Sequence, residues 1–534
     1  MKLHESVDFA NAHVYRGVTF DQKILANQHL LEFIHIHSRQ QPESIYITSV
    51  SNSGKTEELP YRELDRLSRL LAAWTIEECG LAPGDILGLI PENKIFFVVT
   101  IFALLRAGAS ILFLNPNDPP SRIREQIEAM RIKHLLLLRD DSDYDDLSVK
   151  VIPPFDELDI DPDLENFRDK FVDFKLYFGT SGSTAAAKLV EQSQYNAIVN
   201  AKALCKHHSL KENDTILGCL PIHHVNGLHF TLFASMIAGA HTILLEKFNP
   251  MSYFEYLNEY QCRIGSVVPS ILEALLSFWK KPEFPANFDY FVSAAAPLQK
   301  DTCARFYKDF GVKVMQGYGL TETTNFSTTM PADISDEAYL RYAIDSEILS
   351  IGIALFGNDL AVLDENDRPL PNGEIGEICV CGHNVMNGYY HNSEQTQLAF
   401  QGGWFHTQDL GYQLLDETTG RTFFFITGRL KNLAKVFGIA VSLEELERYL
   451  ANLDYLADAA CFSIPSRLMG EEIVVALVPK EGARVNEEEI GRHLARYISS
   501  SVVPTKFLIV EKIPRTATGK ILRKKLAALC QDKL

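Results

Sequence analysis

The sequence predicts an α/β protein. A large N-terminal domain of stacked, mostly parallel sheets with helices and a β-barrel-like layer is followed by a small α+β C-terminal domain. Three observations carry this. Short buried strands alternate with helical segments through the first part of the chain. Glycine-punctuated short strands take over from about residue 350. Near residue 430 the texture changes again, into a unit that ends in the basic run Lys520 to Lys525. Alternating strand and helix calls for parallel strands, because a parallel return needs a long crossover, usually a helix.

The elements follow in order. Ile45-Tyr46-Ile47 reads as a strand that turns at Ser51-Asn52-Ser53-Gly54. Gly54-Lys55-Thr56 does not make a P-loop, since Ser49 stands where the leading glycine is required. Leu64, Leu67, Leu70, Leu71 and Trp74 share one helical face that stops at Gly80. Ile86–Ile90 and Ser110–Leu114 are buried strands on either side of a helix from Ile95 to Arg106. Further strands fall at Leu135–Leu138, Thr215–Leu220, Thr242–Leu245 and Ser266-Val267-Val268. The glycine-rich region supplies Gly373 to Val380 and Val385 to Tyr390. Ser442-Leu443-Glu444-Glu445 has capping-box spacing and starts a helix.

The chain has 534 residues, 46% hydrophobic and 22% charged, with a formal charge of −18. That balance fits a folded protein and disfavours nucleic-acid or anionic-membrane partners, which it would repel at long range. Nine cysteines without a disulfide-like frame fit a reducing compartment. Cys379 and Cys381, two apart on a strand, point to one face and read as core. Cys205, His207 and His208 lack a second ligand pair and do not make a zinc site. No secretory signal is seen, and the apolar run from Ile95 ends too soon to span a bilayer of about 30 Å. A soluble, cytoplasmic protein with no membrane insertion is expected.

Four segments carry chemistry. Tyr177-Phe178-Gly179-Thr180-Ser181-Gly182-Ser183-Thr184 offers glycines for close backbone approach to an anion and hydroxyls as donors, with Lys188 as a point charge. Gln316-Gly317-Tyr318-Gly319-Leu320-Thr321-Glu322 sets an aromatic beside a carboxylate suited to a hard cation. Gly403-Trp404-Phe405-His406-Thr407-Gln408-Asp409 offers a carboxylate with two acceptors for a diol. Pro514-Arg515-Thr516-Ala517-Thr518-Gly519-Lys520 puts one lysine behind a glycine, ahead of a basic helix. Singly, each also reads as a solvated turn.

Together, in this order, the segments resemble the motif set of the adenylate-forming superfamily, specifically acyl- and aryl-CoA synthetases, from Tyr61 to Leu526. The resemblance implies a large AMP-binding domain over 1–429 and a mobile C-terminal domain over 430–534, with a hinge at Lys431. It implies ATP, Mg²⁺ and coenzyme A. Thr180, Ser181, Gly182, Ser183, Thr184 and Lys188 would cradle phosphates. Ser293 to Leu298, including Ala295 and Ala296, would line the adenine pocket with Gly317, Tyr318 and Gly319. Glu322, beside Thr321, would be the metal ligand. Asp409 would accept the ribose hydroxyls and Arg429 would contact the ribose. Lys520 would be catalytic, offsetting the repulsion between a carboxylate and the α-phosphate. Gly438 would face the thiol arm, and His224 of Leu220-Pro221-Ile222-His223-His224-Val225-Asn226-Gly227, with His223 and Gly319, would border the acid.

The chain departs from the family pattern at Ala185, Ala187 and Leu189 in the phosphate loop, at Gln408 where glycine is frequent, and at Asn432 where an acid is preferred. No acid lies between Leu220 and Ala240 to hold a substrate ammonium, so a small carboxylic acid other than an amino acid is expected. Two rivals stand beside CoA ligation: loading of a free-standing carrier protein, and a degenerate nucleotide-binding protein without catalysis.

Overall fold

Two largely parallel sheets organise the N-terminal unit, in a computed structural model that describes residues 7–139, 141–145, 147–158, 167, 169, 173–179, 188–437, 439–516 and 519–531. That unit takes in residues 1–346, 351–360 and 380–405, and a second takes in 347–350, 361–379 and 406–534. The main strands of these two sheets, in chain order, are β1 (Ile45–Val50), β2 (Thr56–Pro60), β3 (Ile86–Leu89), β4 (Ser110–Phe113), β5 (His134–Leu137), β6 (Val149–Val151), β7 (Lys175–Gly179), β8 (Leu189–Ser193), β9 (Thr215–Gly218), β10 (His241–Leu245), β11 (Ile264–Val267), β12 (Tyr290–Ser293) and β13 (Lys313–Tyr318).

One sheet runs β13-β12-β11-β9-β10-β1-β2, parallel from β13 to β1, with β2 antiparallel at the edge. The other runs β8-β7-β4-β3-β5-β6, parallel from β7 to β6, with β8 antiparallel to β7. In the first sheet β9 has β10 on one side and β11 on the other. The chain therefore changes direction of travel at β9, and the crevice beyond the carboxyl ends of β9 and β11 is where a ligand fits such a sheet.

Local chemistry explains the helices. Tyr61–Cys79 buries Leu64, Leu67, Leu70 and Leu71 and ends at Gly80, whose φ of 55° is the left-handed stop a glycine supplies. Ile95–Arg106 is buried almost throughout. Arg106 ends it with no solvent exposure because Asp65 and Asp169 both pair with its guanidinium, at 2.5 and 2.6 Å. Among the described residues no helix is long and apolar enough to cross a membrane.

The predicted strand over Val385 to Tyr390 is corrected to Gly388–Tyr389, which pairs with β8. The residues before it spend their amides elsewhere: Met386 N–H donates to Glu322 O and Asn387 N–H to Glu191 O, both at 2.8 Å. Cys205, His207 and His208 bond apart, to Ala234 O, Met330 O and the Tyr290 hydroxyl.

In the second unit, Phe405–Asp416 and Arg421–Arg429 form an antiparallel pair. A further sheet of Leu433–Val436, Ile439–Ser442, Leu456–Ser466, Gly470–Pro479 and Lys506–Ile509 packs on helices Leu443–Leu450 and Glu487–Leu494 through Leu446, Leu450, Val475, Leu477 and Leu494. Ser442 caps the first of these helices, its Oγ accepting from Glu445 N–H.

Candidate functional site

The phosphate-loop segment begins where β7 ends and closes where β8 begins, with Gly179 opposite Leu189. Thr180, Ser181, Gly182, Ser183 and Thr184, with Ala185 and Ala187, lie outside the described residues, as does Gly438. Lys188 is half-buried. Its Nζ donates to Gln395 Oε1 at 2.7 Å and stands 4.7 Å from the centre of the Tyr389 ring. The Tyr389 hydroxyl donates to Glu322 Oε1 at 3.0 Å. The structure thus brings Lys188 and Glu322 to one phenol, a residue that sequence reading missed. Burial, and then the Glu322 carboxylate, push that phenol up and keep it a donor.

Glu322 sits in a single helical turn, Thr321–Thr323, after β13. Buried Gln192 on β8 holds this turn, donating from Nε2 to Thr321 O at 2.8 Å and to Thr324 O at 3.2 Å. Its Oε1 accepts from His229 Nε2 at 2.9 Å. Two carbonyl acceptors fix the amide orientation, and the amide oxygen then fixes the proton on Nε2 of His229. Thr324 has φ 68° and ψ −55°, and Asn325 N–H donates to Thr323 O at 2.8 Å. This is a γ-turn that a side-chain-bearing residue rarely adopts. Gly319 is a steric necessity, since a Cβ there would lie 1.6 Å from Asn325 O.

Ser293 of β12 pairs with Gln316 of β13, so Ala295 and Ala296 leave the sheet beside Gly317, Tyr318 and Gly319. Ala295 is exposed with a left-handed φ of 71° and Ala296 is half-buried; Gly317 lies under the Phe326 ring, and Tyr318 is buried. The histidine segment leaves β9 at the switch crevice. His223 is buried and His224 exposed, with ring centres 4.3 Å apart. Burial and then His224 push His223 down to about 3, so it is neutral. Asn226 opens a nine-residue π-helical stretch to Ala234, a rare geometry enriched at functional sites. Both Asn226 amide atoms are buried without a protein partner.

In the second unit Asp409 and Arg429 face each other across the strand pair. Asp409 is 1% exposed and meets Arg429 Nε at 2.6 Å. Gln408 has φ 62°, which explains why glycine suits this position. Here Glu377 offsets the cost: its Oε1 accepts from Gln408 N–H at 2.7 Å, while Oε2 meets His406 Nδ1 at 2.8 Å. Glu377, Cys379 and His406 are close enough to frame a metal ion. However, His406 lies between Glu377 and Asp367, its Nε2 3.5 Å from the Asp367 carboxylate, and reads as a clamp on the Asp409 turn.

Lys431 and Asn432 form one helical turn after Arg429, and Asn432 Nδ2 donates to Glu444 Oε1. Lys520 and Gly519 are bonded back to Thr516. Gly519 N–H donates to Thr516 O at 2.9 Å, Thr516 N–H to Lys520 O at 2.8 Å, and Arg515 braces Gly519 O from its Asp458 pair. The basic helix Arg523–Cys530 follows, tied by Arg523 to Glu447 at 2.7 Å. Gln192, Glu377, Tyr389, Gln395 and Glu444 were not legible as site residues, because each acts on a partner distant in sequence.

The profile of the AMP-binding enzyme family matches residues 34–390, and that of the AMP-binding enzyme C-terminal domain matches 445–520. The chain is 28% identical over 506 residues to an oxalate–CoA ligase of Arabidopsis thaliana, covering 90% of this chain and 95% of that protein. It is 31% identical over 352 residues to a sulfoacetate–CoA ligase of Cupriavidus necator, 66% of each chain. Among solved structures, ATP-bound MatB from Rhodopseudomonas palustris superposes with a TM-score of 0.81 at 25% identity, over 95% of this chain and all of that one (100%). The chain is a member of the AMP-binding enzyme family, of the acyl- and aryl-CoA synthetase type.

Proposed function

We propose that this protein is an ATP-dependent acid–CoA ligase, which activates a carboxylic acid other than an amino acid as its acyl-adenylate and transfers the acyl group to coenzyme A. The supporting observation is that Glu322 and Lys188 both rest on Tyr389, which holds an oxygen ligand and a phosphate-binding cation on one support. Similarity to CoA ligases named for oxalate, sulfoacetate and 4-coumarate supports the reaction class.

In the first step a carboxylate oxygen of the acid bonds to the α-phosphorus and the bond to pyrophosphate breaks. Lys520 offsets the repulsion between the two anions. Asp409 and Arg429 orient the ribose, and Ala295, Ala296, Gly317, Tyr318 and Gly319 border the base. Thr180 to Thr184, with Lys188, hold the phosphates, and His223 and His224 border the acid. Glu322, with Thr321 beside it, fits Mg²⁺, because Tyr389 occupies only one of its oxygens. The ion, when bound, supplies charge neutralisation on the leaving pyrophosphate. In the second step the CoA sulfur attacks the acyl carbon and AMP leaves. We place the boundary at 429/430, the pivot at Lys431 and the thiol arm at Gly438, in a cytoplasmic enzyme.

ATP–pyrophosphate exchange with a panel of short polar, aliphatic and aromatic acids tests the proposal, followed by CoA or a carrier protein offered to the preformed adenylate. Lys520→Ala abolishes exchange while thiolysis of supplied acyl-adenylate persists. Equal loss of both half-reactions in folded protein refutes the role of Lys520. Transfer to a carrier protein alone corrects the acceptor. Absence of exchange with every acid, despite ATP binding, favours a non-catalytic protein.

A further inference from the structure

We propose that Tyr389 is a positioning residue that keeps Lys188 and Glu322 apart and separately available, so that metal-assisted binding of ATP depends on it. The inference rests on the reading of Glu322 as the metal-binding carboxylate.

The geometry carries it. Lys188 and Glu322 have opposite charges and lie at the same side chain, yet they do not pair with each other. Lys188 Nζ stands over the ring face at 4.7 Å and is drawn outward by Gln395 Oε1 at 2.7 Å. Glu322 receives the hydroxyl at 3.0 Å. A cation is attracted to the face of an aromatic ring, and a carboxylate accepts from its hydroxyl, so one tyrosine satisfies both without neutralising either. A direct Lys188–Glu322 ion pair would leave the amine less available to phosphate and the carboxylate less available to a cation.

Tyr389 is itself held firmly. It pairs with Val190 of β8, its N–H donates to Thr396 Oγ1 at 2.9 Å, and Gly388 before it has φ 135° with no room for a side chain beside Thr396. The backbone that carries the ring is therefore fixed on both sides of its Cα. Phenylalanine would keep the spacer and lose the donor, whereas leucine would lose both.

Titration calorimetry of ATP with the full chain, with and without Mg²⁺, tests this, since it reads binding rather than turnover. Tyr389→Phe leaves metal-free ATP affinity within about twofold and cuts the Mg²⁺-dependent gain about tenfold, the scale of one hydrogen bond to a charged group. Tyr389→Leu lowers metal-free affinity as well, as Lys188 falls onto Glu322. Gln395→Met lowers metal-free affinity and leaves the gain intact, which tests the lysine arm without altering the tyrosine. A full gain in Tyr389→Phe, with the gain absent in Glu322→Gln, overturns the role of Tyr389 while the metal reading of Glu322 stands. A full gain in Glu322→Gln overturns both.

Discussion

Gln192→Met tests how the Glu322 turn is held. Methionine is close to glutamine in length and volume, so the substitution removes polarity with little cavity. Three hydrogen bonds disappear: those to Thr321 O and Thr324 O, and the one accepted from His229 Nε2. The Gln192 amide, Thr324 and His229 are all buried, so water does not readily replace the lost bonds there. Thr321 O still accepts from Thr324 N–H, so two partners are stranded, Thr324 O and His229 Nε2; at about 1–2 kcal/mol for each, the loss is about 2–4 kcal/mol. That is a large share of the roughly 5–15 kcal/mol typical of a folded domain. The γ-turn at Thr324 also loses a restraint, so Glu322 is less well placed. Urea unfolding monitored by tryptophan fluorescence reads the stability, and ATP calorimetry at saturating Mg²⁺ reads the site. A double-mutant cycle with His229→Phe isolates the amide–imidazole bond, with an expected coupling of about 1 kcal/mol. A stability loss below about 1 kcal/mol for Gln192→Met, with unchanged ATP affinity, would refute the reasoning.

Acid should weaken the protein before its carboxylates titrate. Burial pushes His223 and His229 down to about 3 and His241 to about 4, against 6.5 when unfolded. These depressed values mean that stability is full above pH 6.5 and is lost as pH falls from there towards the folded values. By pH 5 each histidine costs about 2 kcal/mol. Urea midpoints between pH 7.5 and 5 check this: a flat profile contradicts it, and His229→Phe should shallow the slope. At Gln408, φ 62° and the Glu377 contact set opposing demands. Gln408→Gly should be near neutral, whereas Gln408→Val costs about 1–2 kcal/mol and weakens ATP binding through Asp409. Equal stability and ATP affinity for the two variants would show that the turn is not strained.

The sequence by itself determined the layer class and the chemistry-bearing segments, because both are local. Strand and helix periods are written within short windows, as at Leu64, Leu67 and Leu71, and the stop at Gly80 is a property of one backbone angle. Thr321-Glu322 and Gln408-Asp409 were visible for the same reason: the resemblance lies in consecutive residues. Gln408 also shows how a departure from pattern becomes explicable, since its left-handed φ is the demand that glycine meets and Glu377 is what compensates. Tertiary structure alone decided which distant groups hold those segments. Gln192 meets Thr321 and Tyr389 meets Glu322 only when β8 and Gly388–Tyr389 come against the turn after β13, whereas Asp409 meets Arg429 across a single hairpin. It likewise shortened the strand expected from Val385, because Met386 and Asn387 give their amides to Glu322 and Glu191. Hydrogen bonds and ion pairs are fixed by distance in space, and a linear pattern states distance only along the chain.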